Sequence, residues 1–126
     1  MPARILAIDD DPAVLRAYQR VLSPPHEVVT ACGGVEGLTK IVDVRSFDIV
    51  LCDLMMPEVD GTMIHDAIRK TAPDRLPFLV FCSGGGAFDE RVQAFVAGVD
   101  NTFLEKPASR QALLDVINRL TVTPRE

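Results

Sequence analysis

The chain has 126 residues, 13 Lys and Arg against 18 Asp and Glu for a formal net charge of -5, and 48% hydrophobic residues. That length is expected to form a single domain over 1–126, able to bury a core without disulfides or a structural metal. The acidic balance argues against direct nucleic-acid binding, which needs a basic stripe to neutralise phosphates, and no length is left for a second, output domain. The longest apolar stretches are about half the roughly 20 residues that span a bilayer, and Met1-Pro2-Ala3-Arg4 leads into a strand-like run with no signal-peptide pattern. A cytoplasmic location without membrane contact is therefore expected. Cys32, Cys52 and Cys82 contain no Cys-x-x-Cys pair and are odd in number, which reads as reduced core thiols. A redox pair between Cys52 and Cys82 on neighbouring strands stays open.

In chain order, the apolar run at 5–8 predicts a first strand covered on both faces. Asp11 before Pro12 caps a helix whose apolar positions are Ala13, Val14, Ala17, Tyr18 and Val21, and Ser23-Pro24-Pro25 ends it. A second strand at 27–31 precedes a helix marked by Val35, Leu38 and Val42. Gly33, Gly34 and Gly37 weaken that helix by about 1 kcal/mol per interior glycine. The third strand, at 48–52, is followed by a helix carrying Met63, Ile64, Ala67 and Ile68, and Pro73 and Pro77 bracket the next loop. The fourth strand, at 78–82, precedes a helix with Phe88, Val92, Phe95 and Val96. The fifth, at 102–104, precedes a helix capped by Ser109 and carrying Ala112, Leu113, Val116, Ile117 and Leu120. Five strand-then-helix units require a doubly wound, mostly parallel α/β sheet, with any ligand outside the carboxyl ends of the strands.

Those ends carry the chemistry. Asp9, Asp10 and Asp11 follow the first strand, Asp53 ends the third, Ser83 ends the fourth and Lys106 lies just beyond the fifth. Asp11 is well explained as the helix cap. Asp9, Asp10 and Asp53 end apolar strands, where a carboxylate is desolvated without structural return. Grouped carboxylates repel unless a cation sits between them or one takes a proton. An all-oxygen set suits Mg²⁺ or Mn²⁺ and not zinc, because no His or Cys has ligand spacing. Asp53 can then attack phosphorus, with Lys106 and the Ser83 hydroxyl meeting the phosphoryl oxygens. His26 and His65 read as ordinary surface or partly buried residues. Ser83-Gly84-Gly85-Gly86 reads as a mobile run and not as a P-loop, since no Gly-Lys-Ser/Thr follows.

Ile5-Leu6-Ala7-Ile8-Asp9-Asp10-Asp11-Pro12, Asp53-Leu54-Met55-Met56-Pro57 with Asp60-Gly61, and Leu104-Glu105-Lys106-Pro107 together resemble the receiver domain of two-component response regulators, over essentially the whole chain. The resemblance implies a flavodoxin-like (βα)5 three-layer sandwich with strand order 2-1-3-4-5. It implies Asp53 as phosphoacceptor and metal ligand, Asp10 as direct Mg²⁺ ligand, Asp9 as ligand through water, and the Met55 backbone carbonyl as a further ligand. Ser83 would be the switch hydroxyl, Lys106 the phosphate-binding lysine with a cis Lys106–Pro107 bond, and Phe103 the switch ring where the family commonly has Tyr. Glu58 stands where many receivers have glycine and is expected to face solvent.

By the same resemblance the domain catalyses its own phosphorylation and dephosphorylation. The donor would be a histidine kinase or histidine phosphotransfer protein, and a downstream target protein would meet the face made by the fourth helix, fifth strand and fifth helix. The runs 83–88 and 103–107 are similar to receiver modules of some hybrid sensor histidine kinases, in which kinase activity would belong to the longer protein. Met55 and Gly85, two beyond Asp53 and Ser83, have no polar side chain to orient water, so a long-lived phosphoryl group is expected. Two other classes compete: a haloacid-dehalogenase-like phosphatase, whose second acid is missing from Asp53-Leu54-Met55, and a pseudo-receiver that docks without phosphorylation.

Overall fold

In a computed structural model, which describes residues 2–84 and 89–121, strands and helices alternate along the chain. The order is β1 (Arg4–Asp9), α1 (Pro12–Leu22), β2 (Glu27–Cys32), α2 (Gly34–Ile41), β3 (Ile49–Asp53), α3 (Gly61–Thr71), β4 (Leu79–Ser83), α4 (Glu90–Ala97), β5 (Phe103–Glu105) and α5 (Arg110–Thr121). Short 3₁₀ turns at Val44–Ser46 and Pro73–Phe78 lead into β3 and β4. All strand pairs are parallel, in the order β2-β1-β3-β4-β5, which is the flavodoxin-like arrangement expected from the sequence.

The two-residue period of a strand divides the core. Leu6, Ile8, Val50, Cys52, Leu79 and Phe81 face α2, α3 and α4, where they meet Ile41, Ile64, Ile68 and Val92. Ile5, Ala7, Ile49, Leu51, Val80 and Cys82 face α1 and α5, where they meet Leu15, Tyr18, Leu22, Leu113 and Ile117. Cys52 and Cys82 therefore lie on opposite faces of the sheet, which removes the redox pairing left open by the sequence. Cys32 is not a core thiol but an exposed one at the end of β2, while the other two are buried.

The caps are those the sequence indicates. Asp11 accepts the Ala13 N–H at 2.9 Å, and Ser109 Oγ accepts that of Ala112 at 3.0 Å. The third, fourth and fifth strands each begin one residue later than expected. Asp48 binds β1 from outside the strand, accepting the Arg4 N–H on its carboxylate at 2.8 Å, and Phe78 closes a 3₁₀ turn.

In α2 the apolar pattern misleads, since Val35 and Val42 are exposed and the buried residues are Gly34, Gly37 and Ile41. A Cβ at Gly34 would come within 1.8 Å of the Val59 carbonyl oxygen, and one at Gly37 within 2.8 Å of Ile8 Cγ2. These glycines are contact points and not merely weak helix formers. Met63 is likewise exposed. Phe88 and Gly85, singled out from the sequence, lie outside the described residues, as does most of the glycine run. Lys106–Pro107 is cis as expected, and so are Ser23–Pro24 and Pro24–Pro25. No described helix is long and apolar enough to cross a membrane.

Candidate functional site

Asp9 and Asp53 are the last residues of two adjacent central strands, β1 and β3. Alternation puts both on the face of Ala7 and Leu51, beneath α1 and α5. Asp10 follows directly and is exposed. The three residues each offer a carboxylate oxygen, and these oxygens lie within 4.8 Å of one another. Asp9 is 1% exposed and Asp53 6% exposed. Lys106 reaches over them from the end of β5, with Nζ at 2.9 Å from Asp9 Oδ2 and 3.4 Å from Asp53 Oδ2. Asp9 Oδ1 also accepts the Asp11 N–H at 2.9 Å.

One ammonium does not balance three carboxylates, and Asp53 registers the imbalance. Burial and the neighbouring Asp9 charge raise its carboxyl to about 6, against the opposing pull of Lys106 and the Met55 backbone amide. Burial works against the charge on Lys106 as well, yet its hydrogen bond to Asp9 and the charges of Asp53 and Asp9 hold its amine above the ordinary lysine value. An all-oxygen set with two buried members, one exposed member and an excess of negative charge fits a hard divalent cation.

The other expected site residues are placed less directly. Ser83 is nearly buried at the end of β4. Its carbonyl accepts the Lys106 N–H at 2.7 Å, joining it to the lysine's strand end, but its hydroxyl donates to the Gly84 carbonyl at 3.2 Å and not to an acid. Met55 is exposed on the loop after β3. Phe103 stacks on Phe81 at 5.2 Å, packed into the α2/α3/α4 side of the core and away from the acids. Glu58 is exposed, as expected, and is the one described non-glycine residue with positive φ, at 68°. The Val59 N–H donates to the Pro57 carbonyl at 2.7 Å around it, a γ-turn suited to the glycine that many receivers carry there.

Two arrangements were missed by sequence reasoning. Tyr18 of α1 is buried in the same cluster as Cys82, on the face of the sheet that carries the acids. Burial drives both groups upward, the Cys82 thiol to about 11 despite the opposing influence of Tyr18 and Lys106. Asp60, seen in the sequence only as part of a motif, caps α3 and pairs with Arg91 Nη2 at 2.7 Å. Burial alone would raise its carboxyl, but hydrogen bonds from Thr62, Arg91 and the Met63 amide hold it below the usual carboxylate range. An aspartate before a helical run is a readable cap; its arginine, 31 residues away, leaves no local signal.

The family described as response regulator receiver domain matches residues 5–118. The response regulator MprA of Mycobacterium sp. (strain KMS) is 41% identical over 115 residues, covering 90% of this chain and 48% of that protein. The transcriptional regulatory protein GlrR of Escherichia coli (strain K12) is 36% identical over 118 residues, 93% of this chain and 26% of that protein. The chain thus spans between about a quarter and a half of these relatives' length. A crystal structure of a response regulator receiver domain protein from Clostridium thermocellum superimposes with a TM-score of 0.79 at 31% identity, covering 94% of each chain.

Proposed function

Because the chain belongs to the family of response regulator receiver domains, we propose that Asp53 is its phosphoacceptor and that its acidic cluster is the metal site serving the transfer. The observation carrying this reading is the meeting of Asp9, Asp10 and Asp53 oxygens within 4.8 Å under the Lys106 ammonium. Mg²⁺ or Mn²⁺ would be held by Asp10, Asp53 and the Met55 carbonyl, with Asp9 acting through water. When bound, the metal offsets charge on the phosphoryl oxygens.

The chain's own residues supply the rest. An Asp53 carboxylate oxygen forms a bond to phosphorus as the phosphorus–nitrogen bond of a phosphohistidine breaks, leaving the electron pair on the imidazole nitrogen. Near neutral pH an acid with its carboxyl at about 6 is still mostly ionised and is more basic than an ordinary aspartate. Lys106 balances charge on the transferred group from its place beside Asp9 and Asp53. The new aspartyl phosphate carries about 1.5 to 2 negative charges in place of the single charge of the carboxylate, and offers the Ser83 hydroxyl an acceptor better than the Gly84 carbonyl. Drawing Ser83 inward biases the face made by α4, β5 and α5, where a target protein would dock.

The donor would be a histidine kinase or histidine phosphotransfer protein. Where the receiver forms part of a longer protein, as in a transcriptional regulator or a hybrid kinase, DNA contact or kinase activity would lie outside residues 1–126. Incubation with acetyl phosphate and Mg²⁺, followed by intact-mass measurement, is expected to add one phosphoryl group to the wild type and none to Asp53→Asn. No addition to the wild type, or an undiminished one in the variant, would overturn the reading.

A further inference from the structure

Helix α4 has a small apolar hold on the sheet: of its eight residues only Val92 is fully buried, with Phe95 and Val96 partly buried beside it. Its first turn is tied down by polar bonds instead. Arg91 Nη2 donates to Asp60 Oδ2 at 2.7 Å, and Nη1 donates to Thr62 Oγ1 at 3.1 Å. Thr62 passes its hydroxyl hydrogen to Asp60 Oδ1 at 2.6 Å, and the same oxygen accepts the Thr62 and Met63 N–H groups at 3.0 and 3.3 Å. Exposed ion pairs contribute little in general. Here one end is a carboxylate only 10% exposed and already fixed by the α3 cap, so the arginine meets a positioned acceptor.

Asp60 also stands at the base of the loop that leaves Asp53. The Gly61 N–H donates to the Leu54 carbonyl at 2.8 Å and closes that loop. Gly61 itself lies so close to the sheet that a Cβ would come within 2.9 Å of the Asp53 carbonyl oxygen. Farther along α4, Phe95 meets His65 edge-on at 5.1 Å and Phe81 at 5.7 Å, and Phe81 carries the stacked Phe103 ring. Besides the buried Val92, the helix is held by an aromatic contact near its end and a polar one at its start. A shift of the polar end would turn it about the rings.

We propose that Arg91 is a positioning residue whose bridge to Asp60 and Thr62 couples α4 to the loop after Asp53, a second route to α4 beside the one through Ser83. This rests on Asp53 as the phosphoacceptor. Coupling is reciprocal, so what the loop does to α4, the position of α4 does to the loop.

Amide hydrogen exchange tests it, read over 54–60 and over α4, in wild type, Arg91→Gln, Arg91→Lys and Thr62→Val. Each protein is measured alone, with Mg²⁺, and with Mg²⁺ and acetyl phosphate. In the wild type both segments are expected to respond. Arg91→Gln should keep the loop response and the phosphoryl incorporation but lose about fivefold or more of the α4 response. Arg91→Lys, which keeps the charge without the fork, should recover part of it, and Thr62→Val, which removes one acceptor, should lose part. Equal α4 responses in wild type and Arg91→Gln, or no α4 response in the wild type, would overturn the coupling. Absent phosphoryl incorporation in the wild type would instead overturn the Asp53 reading, and the comparison under Mg²⁺ alone would still decide the bridge.

Discussion

Asp53 is held between opposed pressures: burial and Asp9 favour its protonated form, while Lys106 and the Met55 amide favour the carboxylate. The first pair wins, moving the carboxyl from 3.8 to about 6. A carboxyl raised on folding binds its proton more tightly in the folded state, so the penalty of ionising it is absent below 3.8 and complete once pH exceeds about 6. Asn removes the charge at nearly the same size. In chelator at pH 7.5, Asp53→Asn should be more stable than the wild type by about 1–2 kcal/mol, less than the full shift would give at about 1.4 kcal/mol per unit because the buried Asn amide has its own desolvation cost. The advantage should shrink as pH falls from 6 towards 4. Urea unfolding across that range measures it. A wild type more stable than the variant at pH 7.5 without metal would mean that attraction to Lys106 outweighs repulsion from Asp9.

At the scale of elements, the site was legible where strands end. Apolar runs stopping at Asp9 and Asp53 marked the edge on which these acids appear, whereas the face they share follows from the register of β1 on β3, which strands covered on both sides do not reveal. Lys106 was legible through its place beyond the fifth run. The direction of the Ser83 hydroxyl was not, since a rotatable side chain at a strand end chooses among nearby acceptors that periodicity does not reveal. The Arg91 bridge was hidden by its separation in sequence.

The glycines of α2 were weighed as a cost to the helix, yet they let it approach β1 and the loop after β3. Gly34→Ala should gain helix propensity worth about 1 kcal/mol but drive a methyl group into the Val59 carbonyl, a backbone atom that cannot rotate aside. Overpacking of this kind costs about 1–3 kcal/mol and occasionally more, and a contact at 1.8 Å belongs at the upper end. A net loss of about 2 kcal/mol is expected in urea melts, along with slower phosphorylation because the displaced loop carries Met55. An unchanged melt would show that α2 can slide away from the loop at no cost.

Across the whole molecule the net charge of -5 is unevenly distributed. Asp60, Asp66, Asp74 and Glu27 each have a cationic partner near at hand, in Arg91, Arg69 and Lys70, Arg45 and Arg4 respectively. Among the described residues, only at the carboxyl edge of the central strands do three carboxylates lie together, with one lysine paired to two of them. A divalent cation binding there binds the folded chain and not the dispersed acids of the unfolded one, so it should stabilise the entire fold by mass action. At one hundred times its dissociation constant, Mg²⁺ should contribute about 2.7 kcal/mol. For a chain of this length that corresponds to a rise of about 10 °C in Tm. Monovalent salt at matched ionic strength, which only screens, should give a small fraction of the rise. Asp53→Asn should lose most of it, so the order of stability found in chelator reverses in Mg²⁺, with the wild type now the more stable. Thermal melts followed by circular dichroism over a Mg²⁺ series would show this crossing. Equal Mg²⁺ shifts in the two proteins would place any bound cation away from Asp53.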